Sequence, residues 1–409
     1  HTFNTNAQNI TGNAFTIAAA VTATSKLRIF NELQINGVVN INVADSIINQ
    51  GTVFLTSSAG GALNANNANA RWHQTVGSRL FFNGASMFTT TGQLSAAEPG
   101  NEVHYSGSVD QTIRPVTYAN LYADGTGNKS TTAIIDITET LNVTGGAATL
   151  DISTFTFNRT TPGGSFNVED GNTLIVRGLD NFPKNYSTIN LAPNSTVIYN
   201  RTPTNTPQNI DAAVYGNLLF GNNNINAVKN ATGNITVNNT LTLNGINGGS
   251  FALNGHTLTF GSNATVAGTI NNNNFIDLTG GGSVRRNFDA PGSFIYPIGF
   301  NNVLRPARLT LNSAIFAGAS GSRFVQLNTT PIAAPNQVDP SLSLIRHFTL
   351  SSGNITNVNG SFSFSYRGAD QPLAVTPTIE AAWVPGFWNG STWALGATTN
   401  VDPVADTAM

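Results

Sequence analysis

The chain has 409 residues, with 18 Lys and Arg against 20 Asp and Glu, a net charge of -2 and no cysteine. That balance excludes the basic footprint of a nucleic-acid binder and electrostatic attachment to an anionic membrane, and the missing cysteine excludes a disulfide scaffold and thiolate chemistry. Only 9% of residues are charged, against about 25% in ordinary soluble domains, yet 24 Phe and 8 Tyr supply the apolar area a folded core needs.

The chain opens on His1 rather than Met, so a processed product is expected, one from which a signal peptide would have been removed. The most apolar early stretch, "FTIAAAVTATS" from Phe15 to Ser25, falls short of the roughly 20 residues that span a bilayer and reads as a strand. Residues 1–100 are then a β-rich segment. "LQINGVVNINVADSIINQGTVFLTSS" alternates apolar and polar residues with the period of two that strands require, and Asn and Gly punctuate it as turns.

Residues 101–285 contain an internal repeat, with copies at about 101–194 and 195–285. "DQTIRPVTYANLYADG" (Asp110–Gly125) and "PQNIDAAVYGNLLFG" (Pro207–Gly221) match at Gln111 and Gln208, Ile113 and Ile210, Tyr118 and Tyr215, Asn120 and Asn217, and Leu121 and Leu218. Tyr105 and Tyr199 precede the copies, and a lysine followed by a strand-like run comes after each. Repeats at fixed spacing are the mark of solenoids and arrays. Tyr118 and Tyr215 are expected to fill equivalent core positions. In "LTLNGINGGSFALNGHTLTF", Leu241, Leu243, Leu253, Leu258 and Phe260 should face inward. The expected fold is all-β: a right-handed parallel β-helix, with tandem β-sandwiches as the alternative.

After Gly282 the texture changes. Residues 286–409 bring prolines, arginines and long alternating strands, and "WNGSTW" with its Asn389–Gly390 turn reads as a hairpin, which together predict an antiparallel C-terminal sandwich.

Three segments together resemble the secreted surface proteins that Bacteroidetes export through the type IX system. "QNI…YGNL…NITVNNTLTL…LNGHTLTF" resembles their β-helical repeat, "SFIYPIGFNNVLRPARLTL" the segment that follows it, and "RHFTL…FSFSYRGAD…WNGSTWAL" the closing sandwich. The resemblance covers most of residues 101–395 and implies architecture, export and a cell-surface place rather than an activity. The strand and sorting domain that usually close such chains do not follow here. The resemblance also implies O-glycosylation at Ser46 in "DSI" and Thr407 in "DTA".

No catalytic signature emerges. His1, His73, His104, His256 and His347 show no metal-ligand spacing. His256 reads as a structural turn-edge residue, and His104 as part of a solvated strand face. "DGTGNKS" (Asp124–Ser130) lacks the glycine before Lys129 and the following helix that a phosphate loop needs. Ca²⁺ could draw on Asp124–Asn128 or Val168–Thr173, but neither loop offers the roughly six to eight oxygens required, so no cofactor is expected. Asp136 and Glu139, at odd separation, should face opposite ways, and Asp110 does not align with Asp211. The arginines Arg285, Arg286, Arg305 and Arg308 are too few for a polyanion site and should tie the solenoid end to the sandwich. Trp383, Trp388 and Trp393, with Trp72 apart, are either packing residues or a contact for sugars or partners.

The expected function is accordingly a non-enzymatic extracellular structural protein, a filament or adhesin-stalk subunit. It would join copies of itself head to tail through β-strand contacts, residues 1–25 meeting an open edge beside Phe362, Phe364 and Tyr366. A carbohydrate-binding or carbohydrate-cleaving β-helix is the alternative, and a fragment of a larger adhesin a third.

Overall fold

The computed structural model describes residues 8–10, 14–17, 26–41, 46–58, 63–65, 67–88, 92–201, 206–221, 228–244, 250–330, 344, 347–366, 370–371, 384–388, 391–395, 401–402 and 407–408. The protein divides into two compact units, His1–Pro203 with Tyr215–Leu219, and Thr204–Val214 with Phe220–Met409. Both contain coils of β-solenoid, about 11 in all, and no α-helix occurs among the described residues.

In the first unit, Thr52–Leu55, Arg79–Phe82, Glu102–Tyr105, Tyr118–Ala123, Ile137–Val143, Gly163–Val168 and Tyr186–Leu191 lie side by side in a nine-stranded parallel sheet. Successive coils lie from 18 residues apart (Glu102 to Asn120) to 27 (Thr52 to Arg79), the spacing of a solenoid repeat. Register fixes what stacks on what. Val53, Leu80, Val103, Leu121, Leu141 and Phe166 form one inward column, each 0% exposed. Leu55, Phe82, Tyr105, Ala123, Val143 and Val168 form the second column, likewise buried. Each large apolar side chain placed there contributes about 1.5–3 kcal/mol relative to exposure. Parallel strands need a crossover, and here further strands and Asn/Gly turns make it rather than helices. One such crossover ladder is Gln111–Ile113, Asn128–Thr131, Thr149–Asp151, Thr173–Val176 and Thr196–Tyr199.

N-terminal material is part of this unit. Gln8–Ile10 pairs in parallel with Leu33–Ile35, and Ala14–Ile17 with Val38–Ile41, so these strands already have partners in their own chain. Ala14–Ile17 is extended, as "FTI" predicted, while residues 18–25 lie outside the described residues.

The parallel register of successive strands rules out tandem sandwiches for this region, because hairpin-linked strands would pair antiparallel.

The repeat has a structural cause. Tyr and Leu three residues apart cannot both face inward on a regular strand, yet Tyr118 and Leu121 are both fully buried. The register shifts between Tyr118 and Asn120, where Ala119 alone faces Thr138 and Glu139, so the extra residue lies on the adjoining strand. Asn120 and Asn217 then turn their Nδ2 groups onto the preceding coil, donating to the carbonyls of Asn101 (2.9 Å) and Ser195 (3.0 Å). The residue between must be small. Ala119 is fully buried, and a Cβ at Gly216 would sit 2.3 Å from the Ala192 carbonyl oxygen. Y-x-N-L therefore specifies a buried tyrosine, a small residue and an asparagine that holds the preceding coil.

The second unit begins with the parallel ladder Gln208–Ile210, Lys229–Ala231, Phe251–Ala252, Ile276–Asp277 and Ile298–Phe300. Ile235–Leu243, Thr257–Phe260 and Ser283–Asn287 form a second parallel set. Leu241, Leu243, Leu253, Leu258 and Phe260 are all 0% exposed, as their alternation predicts. At Ser283–Asn287 the pairing changes sense: Phe324–Thr330 and His347–Gly353 follow antiparallel. Gly292–Tyr296, Ala307–Phe316 and Ile355–Ser365 form another antiparallel set. The change in sequence texture after Gly282 thus coincides with the change from parallel to antiparallel pairing.

The arginines noted in the sequence act inside this unit. The Arg286 guanidinium donates to the carbonyls of Gly261, Ala264 and Ser262 and lies 4.7 Å from the Phe294 ring centroid. Arg305 forms a buried ion pair with Asp370 and covers Phe300. Arg285 stacks on Phe324 at 3.8 Å, and Arg308 is exposed.

Candidate functional site

In a chain this poor in charge, ionisable side chains gathered on one surface are informative. The outward face of the nine-stranded sheet gathers several. One outward column runs Phe54, Phe81, His104, Tyr122, Asn142, Asn167 and Asn190, and its neighbour runs Thr52, Arg79, Glu102, Asn120, Thr140, Ser165 and Thr188.

The first four side chains of the outer column make a continuous ring stack. Centroids are 4.7 Å apart for Phe54–Phe81, 4.1 Å for Phe81–His104 and 4.0 Å for His104–Tyr122. The spacing is close to the distance between paired strands, so register alone brings the rings face to face. His104 points away from Val103 and Tyr105, as alternation predicts, but it is only 8% exposed. The solvated-face reading of His104 is corrected for that reason: Phe81 and Tyr122 cover both faces of its ring.

The edges of that ring are also engaged. Nδ1 lies 2.9 Å from Asp124 Oδ2 and Nε2 3.3 Å from Glu102 Oε2. Ionised carboxylates only accept, so both bonds exist together only when the ring carries both protons. Glu102 also pairs with Arg79 at 2.9 Å. On the next coil, Glu139 accepts from Asn120 Nδ2 at 2.7 Å and from the Gly100 amide at 3.1 Å. Burial, reinforced by the Glu102 charge, pushes the Tyr122 hydroxyl above its ordinary value. Each carboxylate on this face is thus held by a partner on its own or an adjoining coil.

Lys129, the residue of the rejected phosphate loop, points inward. It is fully buried and donates to the Gly107 carbonyl at 2.6 Å, and burial lowers its pKa to about 8. Its register partner Gln111 donates to the carbonyls of Phe82 (2.9 Å) and Gly84 (2.7 Å). In the second copy Lys229 donates straight to Gln208 Oε1 at 2.6 Å. The lysine that follows each copy is therefore a core donor. Nothing in the local sequence but its place on the inward side of the alternation signals this.

The other predicted site residues are dispersed. Ser46 is half-buried in strand Ser46–Asn49. Thr407 lies in a two-residue strand opposite Ser365. Trp388 and Trp393 face each other across a hairpin at 5.5 Å, while Trp383, Asn389, Gly390 and His1 fall outside the described residues. Trp72 is fully buried and donates to Gln74 Oε1 at 2.8 Å. His73, His256 and His347 are half-buried at separate places.

In the two loops weighed for Ca²⁺, the carboxylates bind neighbouring chain. Asp124 holds His104, Asp170 Oδ1 accepts from the Asn194 amide at 2.8 Å, and Glu169 accepts from Thr144 Oγ1. Among the described residues no three His, Asp or Glu side chains converge as metal ligands would. Nor, among the described residues, is any helix long and apolar enough to cross a membrane.

Compared with protein-family models, curated proteins and solved structures, the chain matches none of them.

Proposed function

We propose that the protein is a non-enzymatic extracellular structural protein, a subunit of a cell-surface filament or adhesin stalk. One observation carries this reading: what the repeat preserves is almost all interior, and its outward Asn120 and Asn217 hold carbonyls of the preceding coil. Tyr105, Tyr118, Gln111 and Lys129, and their counterparts Tyr199, Tyr215, Gln208 and Lys229, are all buried, none more than 4% exposed. A repeat kept for ligand binding would preserve outward residues, whereas this one preserves the means of building another coil.

Two features support the cell-surface and assembly parts of the reading. A surface with few charges repels its copies weakly. In the antiparallel region, Ile355–Ser365 has Ala307–Phe316 along one side, and on the other only Phe364 and Ser365 are paired among the described residues, with Thr407–Ala408. A sheet edge is a template for strand addition. The closing region acts as a sandwich, with the half-buried Phe348 against Phe362 (5.8 Å) and Phe364 (4.9 Å). Because the N-terminal strands Gln8–Ile10 and Ala14–Ile17 have partners in their own sheet, the head-to-tail contact uses the end of that sheet rather than a detached donor strand.

Immunogold labelling of intact producing cells tests the reading. Label along surface fibres supports it, and label confined to the cell interior rejects it.

A further inference from the structure

In half of the outward face described above the two columns carry no charge, with Glu139 flanking them in the grip of Asn120. Beyond Tyr122 its two columns read Thr140 with Asn142, Ser165 with Asn167, and Thr188 with Asn190, one hydroxyl and one amide on each of three consecutive coils. The amides are fixed in one sense. Asn167 Nδ2 donates to Asn142 Oδ1 at 2.8 Å and to Ser165 Oγ at 3.2 Å, and Asn142 Nδ2 donates to Thr140 Oγ1 at 3.1 Å. Beneath the first two coils Leu141, Phe166, Val143 and Val168 are fully buried, so that part of the array stands on a packed floor, while Ile189 of the third coil is exposed. Thr188 and Asn190 are exposed and the other four half-buried.

We infer that this face binds a neutral, extended polysaccharide, a chain of β-1,4-linked hexopyranoses laid across the coils. Three features select that occupant. With no charge, the six side chains offer nothing to a polyanion or a charged peptide. With no aromatic or aliphatic group, they lack the anchor that a protein partner buries. Their alternation of donors and acceptors suits hydroxyl groups, and strand-to-strand spacing repeats the pair about every 4.8 Å. That repeat is close to the advance of one sugar in an extended β-1,4 ribbon, so each coil meets one residue. A helical α-1,4 glucan would lose register after one coil. Strand addition is not an alternative for Thr140, Asn142, Ser165 and Asn167, because they lie on the face of the sheet and their strands are paired on both sides. The inference goes beyond the structural role and holds for a free subunit as for an assembled one.

Isothermal titration of the full chain with cellohexaose and with maltohexaose tests it. Cellohexaose should bind, maltohexaose should bind at least tenfold more weakly, and Asn142→Ala/Asn167→Ala should weaken cellohexaose at least tenfold. Asn190→Ala, at an exposed position above no buried cavity, should weaken it by a smaller factor with an unchanged circular dichroism spectrum and melting temperature. No cellohexaose binding at millimolar concentration overturns the inference. Equal binding of the two sugars, or wild-type affinity in both folded variants, overturns it equally.

Discussion

The hydroxyl oxygens of Tyr105 and Tyr118 lie 2.9 Å apart with both rings fully buried. The Arg114 amide donates to Tyr105 at 2.8 Å, and Tyr118 donates to the Arg114 carbonyl at 2.7 Å. Tyr105 must then be the donor between the two phenols, which closes a ring of bonds around one backbone residue. Tyr199 and Tyr215 repeat the phenol contact at 2.9 Å.

Opening this ring should cost stability without changing the fold. Tyr118→Phe leaves the part-buried Arg114 carbonyl with the Val116 amide as its remaining donor and should cost about 1 kcal/mol in urea unfolding. Tyr105→Phe strips the partner from the Arg114 amide and should cost a similar amount. The double substitution should cost less than the two combined, because both act on one network. Strict additivity would show that the phenols do not cooperate.

Lys129 and the tyrosines predict opposite slopes of stability with pH. Burial lowers Lys129 to about 8 from 10.5, so between these values the unfolded chain holds the extra proton and stability should rise with pH. Burial raises Tyr105 to about 12 from 10.0, so above pH 10 the folded chain holds the extra proton and stability should fall. Chemical denaturation from pH 7 to 11 should therefore pass through a maximum near the upper end. Lys129→Met should flatten the rising limb and leave the falling one. A rising limb that persists in this variant would assign it to another group.

Two glycines distinguish backbone conformation from crowding. Gly164 has φ +50°, and a Cβ there would lie 1.9 Å from the Glu139 carbonyl oxygen on the adjoining coil. Gly146 has φ +80° with nothing within 4 Å of the added atom. Gly146→Ala should cost about 1 kcal/mol, the ordinary strain of a left-handed residue. Gly164→Ala should cost more than about 3 kcal/mol, since strain and displacement of a paired strand add. Similar melting temperatures for the two variants would refute the close approach of these coils.

In the second unit, Asp370→Ala leaves the buried Arg305 guanidinium without its carboxylate and should destabilise that unit by about 3–5 kcal/mol. Arg305→Met/Asp370→Leu should recover most of the loss, because an apolar pair of similar volume avoids burying a lone charge. Hydrogen exchange at Phe300 and Val303, whose carbonyls Arg305 also holds, locates the effect.

Much of the architecture was legible in the sequence, and for identifiable reasons. Period-two alternation placed Leu241, Leu243, Leu253, Leu258 and Phe260 inward, where all are fully buried. Composition could not separate a solenoid from hairpins, since both use short alternating strands and Asn/Gly turns; only the parallel register decides it. The Y-x-N-L repeat was visible, but the register shift beside Tyr118 was not, because register depends on which coil lies alongside. The His104 environment was hidden for the same reason. Phe81 and Tyr122 stack on it from coils more than a dozen residues away, and no local pattern reports that register.

The structural role is tested most directly by negative-stain electron microscopy of native material, with the full chain at high concentration alongside. Fibres built of end-to-end copies, depolymerised by substitutions along the Ile355–Ser365 edge, are the predicted result. Dispersed monomers in both samples would contradict it.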